Sequence, residues 1–134
     1  MSPKTMIALG ALLAGLGVAI GAFGAHGLEN MLAKLGRAED TFAKRAAWLE
    51  TGVKYHLYHA LAIVVLGGLG LSGARGNYAG GALALLVGIA LFSGSLYAMT
   101  LGPDAWRKLG MVTPLGGLAL LIGWALVAWQ ALRS

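Results

Sequence analysis

Apolar residues in this chain do not alternate; they run. Four stretches contain no Asp, Glu, Lys or Arg: between Lys4 and Glu29, Lys54 and Arg75, Arg75 and Asp104, and Lys108 and Arg133. Each meets the roughly 20 residues that a helix needs to cross a bilayer core. Backbone polar groups in lipid must be paired within the segment, so these runs are predicted as helices. The alternation of a membrane barrel is absent. The expected fold is all-α, a single polytopic domain over 1–134, with transmembrane helices at about 5–28, 55–71, 78–101 and 109–132.

The connection after the first run is different. Residues 29–54 hold nine of the chain's charges. Phe42, Ala46, Leu49 and Val53 recur at helical spacing, and Glu50 with Lys54 makes a favourable i,i+4 pair. An amphipathic membrane-surface helix is therefore predicted at about 40–54, with Trp48 at head-group level. Ser72–Asn77 reads as a tight turn, and Gly102-Pro103-Asp104 ends the third helix. Pro114 falls in the first turns of the fourth, where proline is tolerated. The first run also resembles a secretory leader, but its apolar stretch exceeds the roughly 7–15 residues of a signal core, so it is read as a retained helix.

Composition supports this reading and narrows the chemistry. The chain is 58% hydrophobic and 11% charged, too few charges to cover a water-facing surface. It has no cysteine, which excludes thiol catalysis and thiolate metal sites. The formal charge of +5 comes from basic residues flanking apolar runs, with no stripe of interleaved aromatics. That pattern suits membrane lipids with anionic head groups as partners, not nucleic acid. Lys34, Arg37, Lys44, Arg45, Lys54, Arg107 and Lys108 fall on one side, and Lys4, Arg75 and Arg133 on the other. By the positive-inside rule, both termini are expected outside the cytoplasm.

The 22 glycines suit lipid, where helices associate by close backbone approach. In the first helix Gly10, Ala14, Gly17, Gly21 and Gly24 share one stripe, and Ala8, Gly15, Ala19, Ala22 and His26 share a second. This predicts a helix touching neighbours on two faces. Gly94 and Gly117 are assigned the same packing role. Packing within one chain is preferred to a dimer seam, and a homo-oligomer stays open.

Polar residues inside the runs converge at one level. His26 ends the first helix, while Tyr55, His56, Tyr58 and His59 open the second. Ser93, Ser95, Tyr97 and Thr100 lie late in the third, and Thr113 opens the fourth. Ser93, Tyr97 and Thr100 form an i, i+4, i+7 stripe. Three readings stand: a hydrogen-bonded clamp fixing helix register, a site for a lipid head group or quinone, or a metal or haem site on His26, His56 and His59. No carboxylate or cysteine supports the last, and no resident cofactor is expected. The missing intramembrane carboxylates disfavour proton-coupled efflux.

The segments "GAFGAHGL" (21–28), "YHLYHALA" (55–62), "LFSGSLY" (91–97), "VTPLGG" (112–117) and "GW" (123–124), in this order, resemble the small four-helix membrane proteins of the domain of unknown function 423, YgdD/YwdK-like family. The resemblance spans essentially the whole chain. It implies a four-helix integral protein of bacterial inner membranes, and places His26, Tyr55, His59, Ser93, Tyr97, Thr113, Pro114 and Trp124 in signature motifs. It carries no catalytic residue or cofactor. The expected function is non-enzymatic, a membrane-organising or lipid-interacting role. The alternatives are a binding protein for a quinone, haem or metal, or a membrane enzyme acting on lipids or quinones.

Overall fold

The computed structural model describes residues 1–73 and 76–133. Arg75, counted above for orientation, and Ala74 of the predicted turn lie outside the described residues. The described residues form six α-helices: α1 (Pro3–His26), α2 (Leu28–Lys34), α3 (Phe42–Leu71), α4 (Ala79–Gly88), α5 (Gly94–Leu101) and α6 (Thr113–Arg133). A five-residue π segment, Ile89–Ser93, joins α4 to α5, and a 3₁₀ segment, Asp104–Met111, leads into α6. Four helical stretches are long and apolar enough to cross a membrane: Pro3–His26, Glu39–Leu71, Ala79–Leu101 and Asp104–Arg133. They are called spans one to four. No strand occurs among the described residues.

The helix expected at 40–54 is present, but it continues without a break into span two. Together they make one 30-residue helix. At 1.5 Å per residue this rod is about 45 Å long, against a hydrocarbon core of about 30 Å. Its first turns therefore stand beyond the core. Nothing between Phe42 and Leu71 breaks a helix: there is no proline, and Gly52 is tolerated because a neighbour packs on it. The short α2 was not anticipated. It ends at Gly36, whose φ of 66° lets Arg37 N–H reach the carbonyl of Leu32 and Gly36 N–H that of Ala33. This is the Schellman geometry that glycine favours, and it aims Arg37 back toward the other helix ends.

Span one packs on span two. A Cβ at Gly10 would come within 2.8 Å of the Ala60 carbonyl, and one at Gly17 or Gly24 would strike Leu57 or Leu49. Gly21 approaches Val53 on the same seam. The second small stripe meets nothing: Ala8, Gly15, Ala19, Ala22 and His26 are exposed. Span one thus has one main helix neighbour where two were expected. Spans two and three form the centre, around Ile63, Leu66, Tyr78, Ala82, Leu85 and Ile89.

Span four packs on span three by alternating large and small side chains. Val127 lies on Gly81, Leu85 on Gly123, and Leu120 on Gly88. Gly116 lies directly on the backbone of Leu91–Phe92 in the π segment. The packing role assigned to Gly94 and Gly117 is not what the structure shows. A Cβ at Gly94 would meet nothing within 4 Å, and one at Gly117 would make ordinary contact with Phe92 at 3.7 Å. Their neighbours in register carry the close approach instead.

Candidate functional site

The polar residues gather at the loop end of spans two and three, on facing sides of the two helices. Ser93 Oγ donates to the Gly52 carbonyl at 2.8 Å, and both groups are buried. The Tyr97 hydroxyl lies 3.0 Å from His56 Nδ1. The missing side chain of Gly52 makes room for this, since a Cβ there would come within 2.7 Å of the Tyr97 ring. Thr100 Oγ1 donates to the Arg45 carbonyl at 3.2 Å and to its own Leu96 carbonyl at 2.8 Å. The stripe at 93, 97 and 100 therefore makes a side-chain hydrogen-bond ladder to span two. His56 is 2% exposed, and its Nε2 is the one buried side-chain polar atom without a hydrogen bond among the described residues.

The centre of this end is a residue that was read only as a surface charge. Arg45 is 1% exposed. Its Nη1 donates to the carbonyls of Met99, Thr100 and Gly102 at 3.0, 2.8 and 2.9 Å. Its Nη2 pairs with Asp104 Oδ1 at 2.8 Å, and its Nε donates to Thr41 Oγ1 at 3.1 Å. Arg37 Nε and Nη2 donate to the Leu101 carbonyl at 3.2 and 2.9 Å. The last carbonyls of a helix lack intrahelical partners, and Pro103 offers no N–H to supply one. Two guanidinium groups satisfy four consecutive carbonyls, 99 to 102, and place positive charge where the helix dipole favours it. A signal did exist in the sequence: Arg45, Leu49, Gly52 and His56 fall at i, i+4, i+7 and i+11, on one stripe.

The remaining candidates divide. Ser95 Oγ and Thr113 Oγ1 share a 2.7 Å hydrogen bond between spans three and four, and Ser95 also donates to the Phe92 carbonyl. His59 Nδ1 donates to the Tyr55 carbonyl of its own helix at 2.6 Å. The His59 ring lines an open groove of about 540 Å³ with Tyr55, Phe92, Pro114, Leu121 and Trp124. Tyr58 is 62% exposed and stands outside both groups. His26 is exposed too, in a separate hollow beside Glu29, Asn30 and Ala46. The metal alternative on His26, His56 and His59 is thereby corrected. His26 lies at the level of Ala46, whereas Gly17 is the span-one residue beside His56, so the three are apart, and no three His, Asp or Glu side chains among the described residues are placed to hold a metal ion.

Outside the apolar runs the same end is basic and aromatic. Lys44 Nζ lies 5.5 Å and Arg107 Cζ 6.0 Å from the centre of the Trp48 ring. Lys54 pairs with Glu50 at 2.8 Å on the exposed side of α3.

Comparison with known proteins places the chain. The family described as "Protein of unknown function (DUF423)" matches residues 20–117. This protein belongs to the DUF423 family. It is 42% identical to the UPF0382 membrane protein YwdK of Bacillus subtilis over 132 residues, covering 97% of this chain and 98% of that one. It is 35% identical to the UPF0382 inner membrane protein YgdD of Escherichia coli, covering 99% and 93%. A UPF0382 membrane protein of Haemophilus influenzae is 38% identical, over 87% and 85%. No solved structure matches. Like these DUF423 relatives, the chain is a membrane protein, and its four spans give it a polytopic, all-helical architecture.

Proposed function

We propose that this protein is a non-enzymatic component of the inner membrane that holds anionic lipids at its basic end. In this reading the buried hydrogen bonds fix spans two and three, and the surrounding cations meet the head groups. The observation that carries it is the arrangement around Trp48. An indole, read at head-group depth, has Lys44 and Arg107 within about 6 Å of its ring centre, and Lys54 and Lys108 are exposed. The serines support a role without a reaction: the Ser93 and Ser95 hydroxyls bond to Gly52, Phe92 and Thr113 and not to a histidine.

Native mass spectrometry from mixed phosphatidylglycerol and phosphatidylcholine nanodiscs tests the lipid reading. Phosphatidylglycerol is expected to stay bound preferentially, and Lys44→Gln with Arg107→Gln to remove the preference. Equal retention of both lipids would contradict it. The proposed orientation places this basic end in the cytoplasm and both termini outside. Because the chain has no cysteine, single cysteines at Ser2 and at Lys108 can be labelled selectively. An impermeant maleimide on spheroplasts is expected to reach position 2 and not position 108; the reverse pattern would invert the assignment.

A further inference from the structure

The groove beside His59 belongs neither to the hydrogen-bond ladder nor to the basic end. It opens between spans two and four, with Phe92 of the π segment in its wall. His59 lies five residues beyond Lys54, roughly 8 Å deeper along the helix axis, so the opening meets acyl chains below the head groups. Its volume of about 540 Å³ lies within the usual range for small-molecule sites. Three of its walls are aromatic. The rings of Tyr55 and Phe92 have centroids 4.4 Å apart, and His59 stands 5.9 Å from Tyr55 and 6.1 Å from Trp124.

One polar feature is fixed by chemistry. A backbone carbonyl can only accept, so the proton that His59 gives the Tyr55 carbonyl sits on Nδ1. In the neutral ring Nε2 is then an acceptor. Nδ1 is turned to its own helix, which leaves the Nε2 edge directed away from that backbone. His59 is 7% exposed and lines the groove beside Tyr55 and Trp124.

We propose that this groove binds the reduced head of a tailed hydroquinone. The flat ring lies among Tyr55, Phe92 and Trp124, one ring hydroxyl donates to His59 Nε2, and the aliphatic tail leaves past Leu118 and Leu121 into the bilayer. Binding transfers no electrons and breaks no bond. A ring hydroxyl can donate to His59 Nε2 and a quinone carbonyl, which only accepts, cannot, so this contact favours the reduced ring over the oxidised one.

The test uses the full chain in nanodiscs of fixed lipid composition, with decylubiquinol kept reduced under argon as the probe. The quantity read is the probe retained over empty discs. Saturable retention of one molecule per chain is expected. Decylubiquinone, the dimethyl ether of the probe, and the His59→Leu variant are each expected to weaken it roughly three- to tenfold, the range of one hydrogen bond. Leu121→Phe narrows the groove without touching a hydrogen bond, and is expected to abolish retention at an unchanged melting temperature. Farnesol, which offers a hydroxyl and a tail without a ring, is expected not to compete. The proposal is overturned by retention no greater than in empty discs, by equal binding of the dimethyl ether, by full competition from farnesol, or by wild-type retention in Leu121→Phe. Should His59→Leu fail to fold, Leu121→Phe and the ether decide the matter. Phosphatidylglycerol retention at the Trp48 end is read separately, so either result stands without the other.

Discussion

Span three holds its two neighbours by different means. Toward span two it presents Ser93, Tyr97 and Thr100, each bonded to a group on α3. Toward span four it presents Gly81, Leu85 and Gly88, which interlock with Val127, Gly123 and Leu120 and rely chiefly on shape. The π segment lies where one kind of contact gives way to the other, with Gly116 pressed on its backbone. In lipid there is little hydrophobic drive to bring helices together, so close packing and hydrogen bonds share the task. The contrast teaches where each works. Packing of small residues serves the lipid-facing edge, and hydrogen bonds serve the centre, where Arg45 must satisfy carbonyls that Pro103 leaves open.

Substitutions that remove one kind of contact should therefore differ in size. The largest effect is expected from Arg45→Met, which strands the carbonyls of Met99, Thr100 and Gly102 and unpairs Asp104. Leaving a buried carbonyl without its donor costs about 1–3 kcal/mol, and three are left at once, while Asp104 is 69% exposed and loses little; the sum is readable as a shift in unfolding by sodium dodecyl sulfate in mixed micelles. Arg45→Lys should recover only part of this, because a single ammonium cannot span three carbonyls, Asp104 and Thr41.

The next effect tests the other interface. Gly116→Leu drives a side chain into the backbone at Phe92 and should cost about 1–3 kcal/mol in the same assay. Gly117→Ala, one residue away, should change little, since its added carbon makes only ordinary contact. Smaller still are the single ladder bonds: Ser93→Ala and Tyr97→Phe should each cost about 0.6–1.7 kcal/mol. One further small effect has the opposite sign. Gly94→Ala places a methyl in open space within a helix and should stabilise by about 0.4–1 kcal/mol.

These differences also mark what could be read in advance. The four spans, the gathering of span-two and span-three polar residues at one end, and the stripe at 93, 97 and 100 follow from run length, topology and the 3.6-residue period. Rotation of a helix about its own axis does not. His26 was placed at the depth of His56 and His59, but the residue of span one beside His56 is Gly17, and His26 lies about two and a half turns further along, beside Ala46. Gly94 and Gly117 were assigned to packing that Gly88, Gly116 and Gly123 carry: small-residue spacing names candidate faces without saying which one meets a neighbour. Arg45 was hidden by its charge. Basic residues near a membrane end are read as surface groups, and the demand for a buried one comes from carbonyls 54 to 57 positions away in the chain. The segment at 40–54 was read as a surface helix leading into span two, not as the first part of the same helix, because the change from charged to apolar residues at Lys54 looks like a boundary that backbone hydrogen bonding does not register.

The account rests most heavily on the hydrogen-bonded contact between spans two and three, and His56 with Tyr97 is its clearest single pair. A double-mutant cycle of His56→Leu and Tyr97→Phe, measured by unfolding in mixed micelles, isolates that pair from the cost of each substitution alone. A coupling energy of about 0.6–1.7 kcal/mol is the result predicted. Additive losses, agreeing within about 0.3 kcal/mol, would show that the two side chains do not act together and would contradict the account.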